Sequence, residues 1–142
     1  MALETQRIQV LVVDDHAGMR DGISAMVNAQ PDMAVAGMAS DGREAIEQFR
    51  ILQPNVSIVD WNLPMIPGDE VMATLIKEFP QARFIAITAL NDDTRIQRTR
   101  NLGAKGYIHK DMLRRELLPA IRAVHEGRQH FPEKPERPEE KS

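Results

Sequence analysis

The chain has 142 residues, 42% of them hydrophobic, enough for one compact domain with a sizeable core and no covalent staple. Lys and Arg number 18 against 21 Asp and Glu, and the resulting formal charge of −3 is too balanced for a non-specific nucleic-acid binder. Without cysteine there is neither a disulfide framework nor a thiolate metal site; MALETQRIQ is no secretory signal and no apolar run nears the ~20 residues that span a bilayer, so a soluble cytoplasmic protein is expected.

Residues 1–6 read as a flexible N-terminus, and residues 7–128 as one domain. Ile8 to Val13 (IQVLVV) is a nearly all-apolar strand, as expected when both faces are covered, and it ends on Asp14–Asp15. Ile23, Met26 and Val27 then share a helical face. After Pro31 the run from Met33 to Gly37, within MAVAGMA, is small and weaker, as suits an edge strand. Ala45, Ile46 and Phe49 mark a second helix, and Pro54 ends it. Asn55 to Val59 is the next apolar strand and leads into Asp60. Beyond the breakers Pro64 and Pro67–Gly68, a third helix carries Val71, Met72, Leu75, Ile76 and Phe79. Pro80 separates it from the strand Arg83 to Ile87, which runs into Thr88.

The next segment, Asp92 to Leu102, should be the fourth helix, yet only Ile96 and Leu102 are clearly apolar. Its buried stripe is thin, and helices owe most of their stability to such a stripe. Gly103 precedes the last strand, Gly106 to His109, which is followed at once by Lys110. Leu117, Leu118, Ile121 and Val124 define the last helix, where Pro119 conflicts with a regular interior; an irregular first turn is expected. The tail, residues 129–142, holds Pro132, Pro135 and Pro138 and from Pro132 onward no large apolar side chain, so it reads as an extended linker or a frayed end.

Five strands alternating with helices make a doubly wound, five-stranded parallel α/β sheet, because right-handed crossovers place a helix between parallel strands. Ligands of such sheets bind where the strands end at their carboxyl termini. Asp14, Asp15, Asp60, Thr88 and Lys110 therefore converge in one pocket. Each is weak alone: an Asp before a helix is often an N-cap, with His16 an alternative for that role, a strand-end Thr is often only β-branched filler, and a Lys is usually solvated. Together they read as chemistry. Adjacent carboxylates at a buried edge repel one another, and a hard divalent ion such as Mg²⁺ relieves them. Beside that ion, a strand-tip carboxylate such as Asp60 can attack phosphorus to form an aspartyl phosphate. Thr88 and Lys110 suit the positioning and charge neutralisation that phosphoryl transfer requires.

With VVDDHAGMRDG near its start, VDWNLP at its middle and GAKGYIHKD near its end, the chain resembles the receiver domain of two-component response regulators over roughly residues 7–128. The subgroup is the one whose members usually carry a LuxR-type helix-turn-helix, the NarL type. The resemblance implies a flavodoxin-like strand order, 2-1-3-4-5. It makes Asp60 the phosphoacceptor, with Asp14 and Asp15 the acidic pair and Asp15 a direct ligand of Mg²⁺. The backbone carbonyl of Asn62 would be a further metal ligand and Lys110 would contact the phosphoryl group. Thr88 and Tyr107 would form the switch pair, and Ala89 occupies the position whose size governs access. The donor would be a sensor histidine kinase or a small phosphodonor, and the chain would catalyse nothing beyond its own phosphorylation and dephosphorylation.

Several positions depart from the family pattern. Pro67 stands before Gly68 where an acidic residue is usual, and Lys110 is followed by Asp111 rather than proline, so no cis peptide is expected there. The fourth helix is polar where alanine is commoner. Its Arg95, Arg98 and Arg100 read as a solvated face, or else as a patch for an acidic partner or for a weak, salt-sensitive, phosphorylation-dependent homodimer. The fourteen residues after Arg128 are too few for a DNA-binding domain, so no DNA binding by this chain alone is expected, and the proline-rich end favours a fragment of a longer transcriptional regulator over a stand-alone receiver or phosphate sink. A flavodoxin would not place two negative charges in its phosphate loop. A haloacid-dehalogenase-type phosphatase would carry Asp-x-Asp after its first strand.

Overall fold

The computed structural model describes residues 6–90 and 92–132; the remainder of the tail and the first five residues lie outside it. Five parallel strands, β1 (Ile8–Val13), β2 (Met33–Ala39), β3 (Val56–Asp60), β4 (Phe84–Thr88) and β5 (Gly106–His109), form one sheet in the order β2-β1-β3-β4-β5. Helices α1 (Ala17–Asn28), α2 (Gly42–Leu52), α3 (Gly68–Glu78), α4 (Asp93–Asn101) and α5 (Leu113–His125) make the crossovers. The sequence stopped β3 and β4 one residue short: Asp60 and Thr88 are their last residues, paired into the sheet and buried. As expected, β2 is an edge, and a register shift between Val10 and Leu11 interrupts its pairing with β1.

The apolar run of β1 divides between two cores, since successive side chains of a strand point to opposite faces. Ile8, Val10 and Val12 join Ile58, Ile85, Ile87 and Ile108 beneath α1 and α5. Leu11 and Val13 join Val59, Phe84, Ala86 and Tyr107 beneath α2 and α3. Phe49 anchors the second core, its ring centroid 5.3 Å from that of Phe79 and 5.4 Å from that of Phe84. Covered on both faces, β1, β3 and β4 need the near-continuous hydrophobicity that the sequence displays.

The local signals are physical. Asp41 caps α2 by accepting from the Glu44 amide (2.8 Å), while Glu44 Oε1 accepts from the Ser40 amide at 2.7 Å. Asp92 caps α4 in the same way, accepting from the Arg95 amide at 2.7 Å. Only Thr99 of α4 is fully buried, with Ile96 and Leu102 partly buried against the second core. The irregular turn foreseen for the last helix is a short 3-10 segment, Lys110–Met112, after which α5 runs unbroken through Pro119. Pro119 and Arg115 are both exposed, so the carbonyl that loses its partner lies on the solvent side. The described residues contain no cis peptide.

Residues 129–132, which the sequence placed in the tail, run back along the edge of β5. Tyr107 N–H donates to the His130 carbonyl (2.9 Å), and His130 N–H donates to the Lys105 carbonyl at 2.8 Å. Phe131 packs on the second core beneath the Arg100 guanidinium, 4.2 Å from the ring centroid, and His130 Nε2 lies 2.9 Å from Glu116 Oε1. This short segment covers an edge that would otherwise present unpaired backbone groups.

Candidate functional site

At the carboxyl ends of β1, β3 and β5 the predicted side chains meet. Asp14 is wholly buried, Asp60 is 1% exposed, and the Lys110 ammonium lies between them, 3.0 Å from Asp14 Oδ2 and 3.0 Å from Asp60 Oδ2. The repulsion inferred from sequence is thus partly relieved within the chain, by the ammonium of the residue that directly follows β5. Burial tends to pull the Lys110 pKa down, but the adjacent Asp14 and Asp60 carboxylates outweigh it and raise the pKa, so the ammonium stays protonated. Burial raises the Asp60 pKa above the usual carboxylate range; the Asn62 amide and Lys110 draw it back, and the nearby Asp14 charge adds to the rise.

The loop after β3 turns back toward the carboxylate it follows. Asn62 N–H donates to Asp60 Oδ1 (3.1 Å), and Gly68 N–H donates to the Trp61 carbonyl at 2.9 Å. Gly68 is required by this close approach, because a Cβ there would stand 2.0 Å from the Asp60 carbonyl oxygen. Pro67 serves as the N-cap of α3 without a side-chain cap bond. Met65 holds φ at 74°, an unfavourable left-handed conformation for a side chain of its kind.

Asp14, Asp15, His16 and Asp60 each offer one ligand atom, and these atoms lie within 4.8 Å of one another. His16 N–H donates to Asp14 Oδ1 (2.9 Å), and its ring Nδ1 lies 3.2 Å from both Asp14 and Asp15 carboxylates. His16 is also the N-cap of α1, though without a side-chain cap bond. Buried Asp14 Oδ2 has the ammonium beside it but no aligned hydrogen-bond donor. Three hard carboxylate oxygen donors around such an atom fit a cation such as Mg²⁺. Arg20 Nη1 donates to the Asp14 carbonyl at 2.7 Å, tying α1 to the end of β1.

Thr88, the last residue of β4, and Tyr107, the second residue of the neighbouring β5, are both fully buried. A single residue joins them: the Leu90 amide donates to Thr88 Oγ1 at 3.0 Å, and the Leu90 carbonyl accepts from the Tyr107 hydroxyl at 2.9 Å. Burial raises the Tyr107 pKa, so the phenol stays a donor. One contributor was invisible as a site residue in the sequence. Arg95 Nη1 donates to Thr88 Oγ1 at 3.2 Å, and the Arg95 guanidinium covers the Trp61 ring at 4.8 Å. Arg95 was legible only as one charge among three on a polar helix; its position at the first turn after Thr88 was the available signal. Arg98 is paired with Asp69 at 3.0 Å and Arg100 with Phe131, so none of the three arginines is merely solvated.

A sequence profile of the response regulator receiver domain matches residues 10–122. The oxygen regulatory protein NreC of Staphylococcus carnosus is 35% identical over 123 residues, 84% of this chain and 56% of that protein. The transcriptional regulatory protein DegU of Brevibacillus brevis is 28% identical over 121 residues, 85% of this chain and 51% of that protein. The chain thus spans little more than half the length of these curated relatives. Among solved structures, a LuxR-family two-component response regulator from Aurantimonas sp. superposes with a TM-score of 0.84 at 28% identity, over 88% of this chain and 89% of that one.

Proposed function

The chain belongs to the response regulator receiver domain family, and we propose that Asp60 is the carboxylate on which it accepts a phosphoryl group. The observation that carries this reading is the Lys110 ammonium held 3.0 Å from both Asp14 and Asp60, since it brings the ends of three strands to one buried point. In the transfer, an Asp60 oxygen forms a bond to phosphorus as the phosphorus–nitrogen bond of a donor phosphohistidine breaks. The electron pair leaves on the imidazole nitrogen. With acetyl phosphate, the bond to the acetate oxygen breaks instead.

The reaction asks little covalent chemistry of the protein and much positioning. Lys110, held by two carboxylates, is already beside the attacking oxygen and can turn to the phosphoryl oxygens. Thr88 supplies a hydroxyl from the adjacent strand end. Asp14, Asp15, Asp60 and the Asn62 carbonyl are the proposed ligands of Mg²⁺, which when bound supplies the positive charge that the transferring group needs. Thr88 and Tyr107 are the proposed switch pair, coupled through Leu90. The donor is a sensor histidine kinase, the chain acts on no other substrate, and its place is the cytoplasm. Among the described residues no helix is long and apolar enough to cross a membrane. The output we assign is regulation of transcription through a DNA-binding module; the alternative is action by protein contact alone.

The test is incubation with acetyl phosphate, or with beryllofluoride as a phosphoryl mimic, with and without Mg²⁺. Wild type should gain one Mg²⁺-dependent phosphoryl group, and Asp60→Ala none. Equal labelling of both proteins would refute the assignment.

A further inference from the structure

The Thr88 hydroxyl can accept two hydrogen bonds and donate one. In the structure both acceptor positions are used, by the Leu90 amide at 3.0 Å and by Arg95 Nη1 at 3.2 Å. Thr88 is fully buried, so solvent does not compete for the remaining function, its O–H. That hydroxyl is left able only to donate, and a cationic donor on its oxygen polarises the O–H and strengthens what it gives.

Arg95 is itself fixed at several points. Its amide is capped by Asp92 at 2.7 Å, and its Nε lies 3.7 Å from the same carboxylate. Its guanidinium lies over Trp61, the residue that follows Asp60. Trp61 Nε1 donates to Thr99 Oγ1 (3.0 Å), and Thr99 Oγ1 donates back to the Arg95 carbonyl at 2.7 Å. The Trp61 amide in turn donates to the carbonyl of Ile87, which precedes Thr88, at 2.9 Å. Arg95, Trp61, Thr99 and Thr88 thus form a closed ring that binds α4 to the ends of β3 and β4.

We propose that Arg95 is a positioning residue for phosphoryl transfer: its guanidinium saturates Thr88 Oγ1 and commits the Thr88 hydroxyl to donate to a phosphoryl oxygen on Asp60. This rests on the reading of Asp60 as phosphoacceptor. Arg95 touches neither the phosphoryl group nor the metal; it acts through Thr88.

The experiment measures acetyl phosphate labelling rates and beryllofluoride affinity on the full chain, with Trp61 fluorescence as the binding signal. The variants are Arg95→Ala, Arg95→Met, Arg95→Lys, Thr88→Ala and Arg95→Ala combined with Thr88→Ala. Losing one such hydrogen bond should slow labelling and weaken binding by roughly three- to tenfold in Arg95→Ala. Arg95→Met, which keeps the apolar stem over Trp61, should lose as much, and Arg95→Lys, which keeps a donor, should recover part. In the Thr88→Ala background the Arg95→Ala penalty should vanish. An undiminished penalty in that background, or an Arg95→Met protein with wild-type rates, would overturn the proposal. Wild type that takes no phosphoryl group at Asp60 would instead overturn the underlying function as well.

Discussion

Ser57 and Gly68 show how much a single position can weigh here. Ser57 lies in the buried strand β3, between Leu11 of β1 and Phe84 of β4, and its hydroxyl is buried without a hydrogen-bond partner. An unsatisfied buried hydroxyl is a cost rather than a support. Ser57→Ala should therefore raise stability by about 1 kcal/mol, seen as a higher denaturant midpoint with an unchanged slope. Gly68 has the opposite character. A methyl group there meets backbone atoms of Asp60 and Trp61 at 2.0 and 2.8 Å, which no rotamer change can relieve. Gly68→Ala should cost roughly 1–3 kcal/mol by overpacking. It should also slow Asp60 labelling, because the atoms that must move carry the nucleophile. A Gly68→Ala protein with native stability and rate would show that the loop yields freely.

At the scale of elements, the helices are held to the sheet by apolar faces, and a few polar clamps fix their ends. Arg122 of α5 reaches the turn before β2, its Nε 2.8 Å from Asp32 Oδ2 and its Nη2 2.9 Å from Gln30 Oε1. The hydrogen bond from Arg122 draws the Asp32 pKa below its ordinary 3.8, and the same contact raises that of Arg122. A carboxyl group whose pKa is lowered on folding contributes stability above its unfolded value, and loses it as pH falls through its folded value. Arg122→Ala should thus destabilise at pH 7 but be nearly neutral once Asp32 is protonated, below its lowered folded value. Both side chains are more than a third exposed, so the effect at pH 7 should stay at about 1 kcal/mol or less. Thermal midpoints of both proteins across that range measure it; a pH-independent difference would place the role of Arg122 in packing.

For the whole molecule, the arginines of α4 bear on assembly. Each is engaged within the chain, Arg95 on Thr88 and Trp61, Arg98 on Asp69 and Arg100 on Phe131, so a second copy must compete for them. Exposed ion pairs contribute only about 0.2–1 kcal/mol each. Sedimentation should find a monomer at micromolar concentration, and at most weak, salt-sensitive dimers with beryllofluoride. A tight dimer indifferent to salt would overturn that expectation. The mimic should also raise amide exchange in Thr88–Leu102 and Gly106–Lys110, including the Tyr107 amide that holds His130. A response confined to the loops at Asp15 and Asp60 would favour a phosphate sink.

The alternation of buried strands and amphipathic helices determined the fold from sequence alone, because hydrophobic period and strand-end polarity are local properties. Asp14, Asp60, Thr88 and Lys110 were legible for the same reason: each follows an apolar run, and parallel sheets bring such ends together. The polar character of α4 was legible too, but what its side chains do was not. Whether Arg95 meets water or Thr88, and whether residues 129–132 trail away or lie along β5, depends on distances between segments far apart in the chain. Those distances are fixed only when the two cores close and set the spacing of the helices over the sheet.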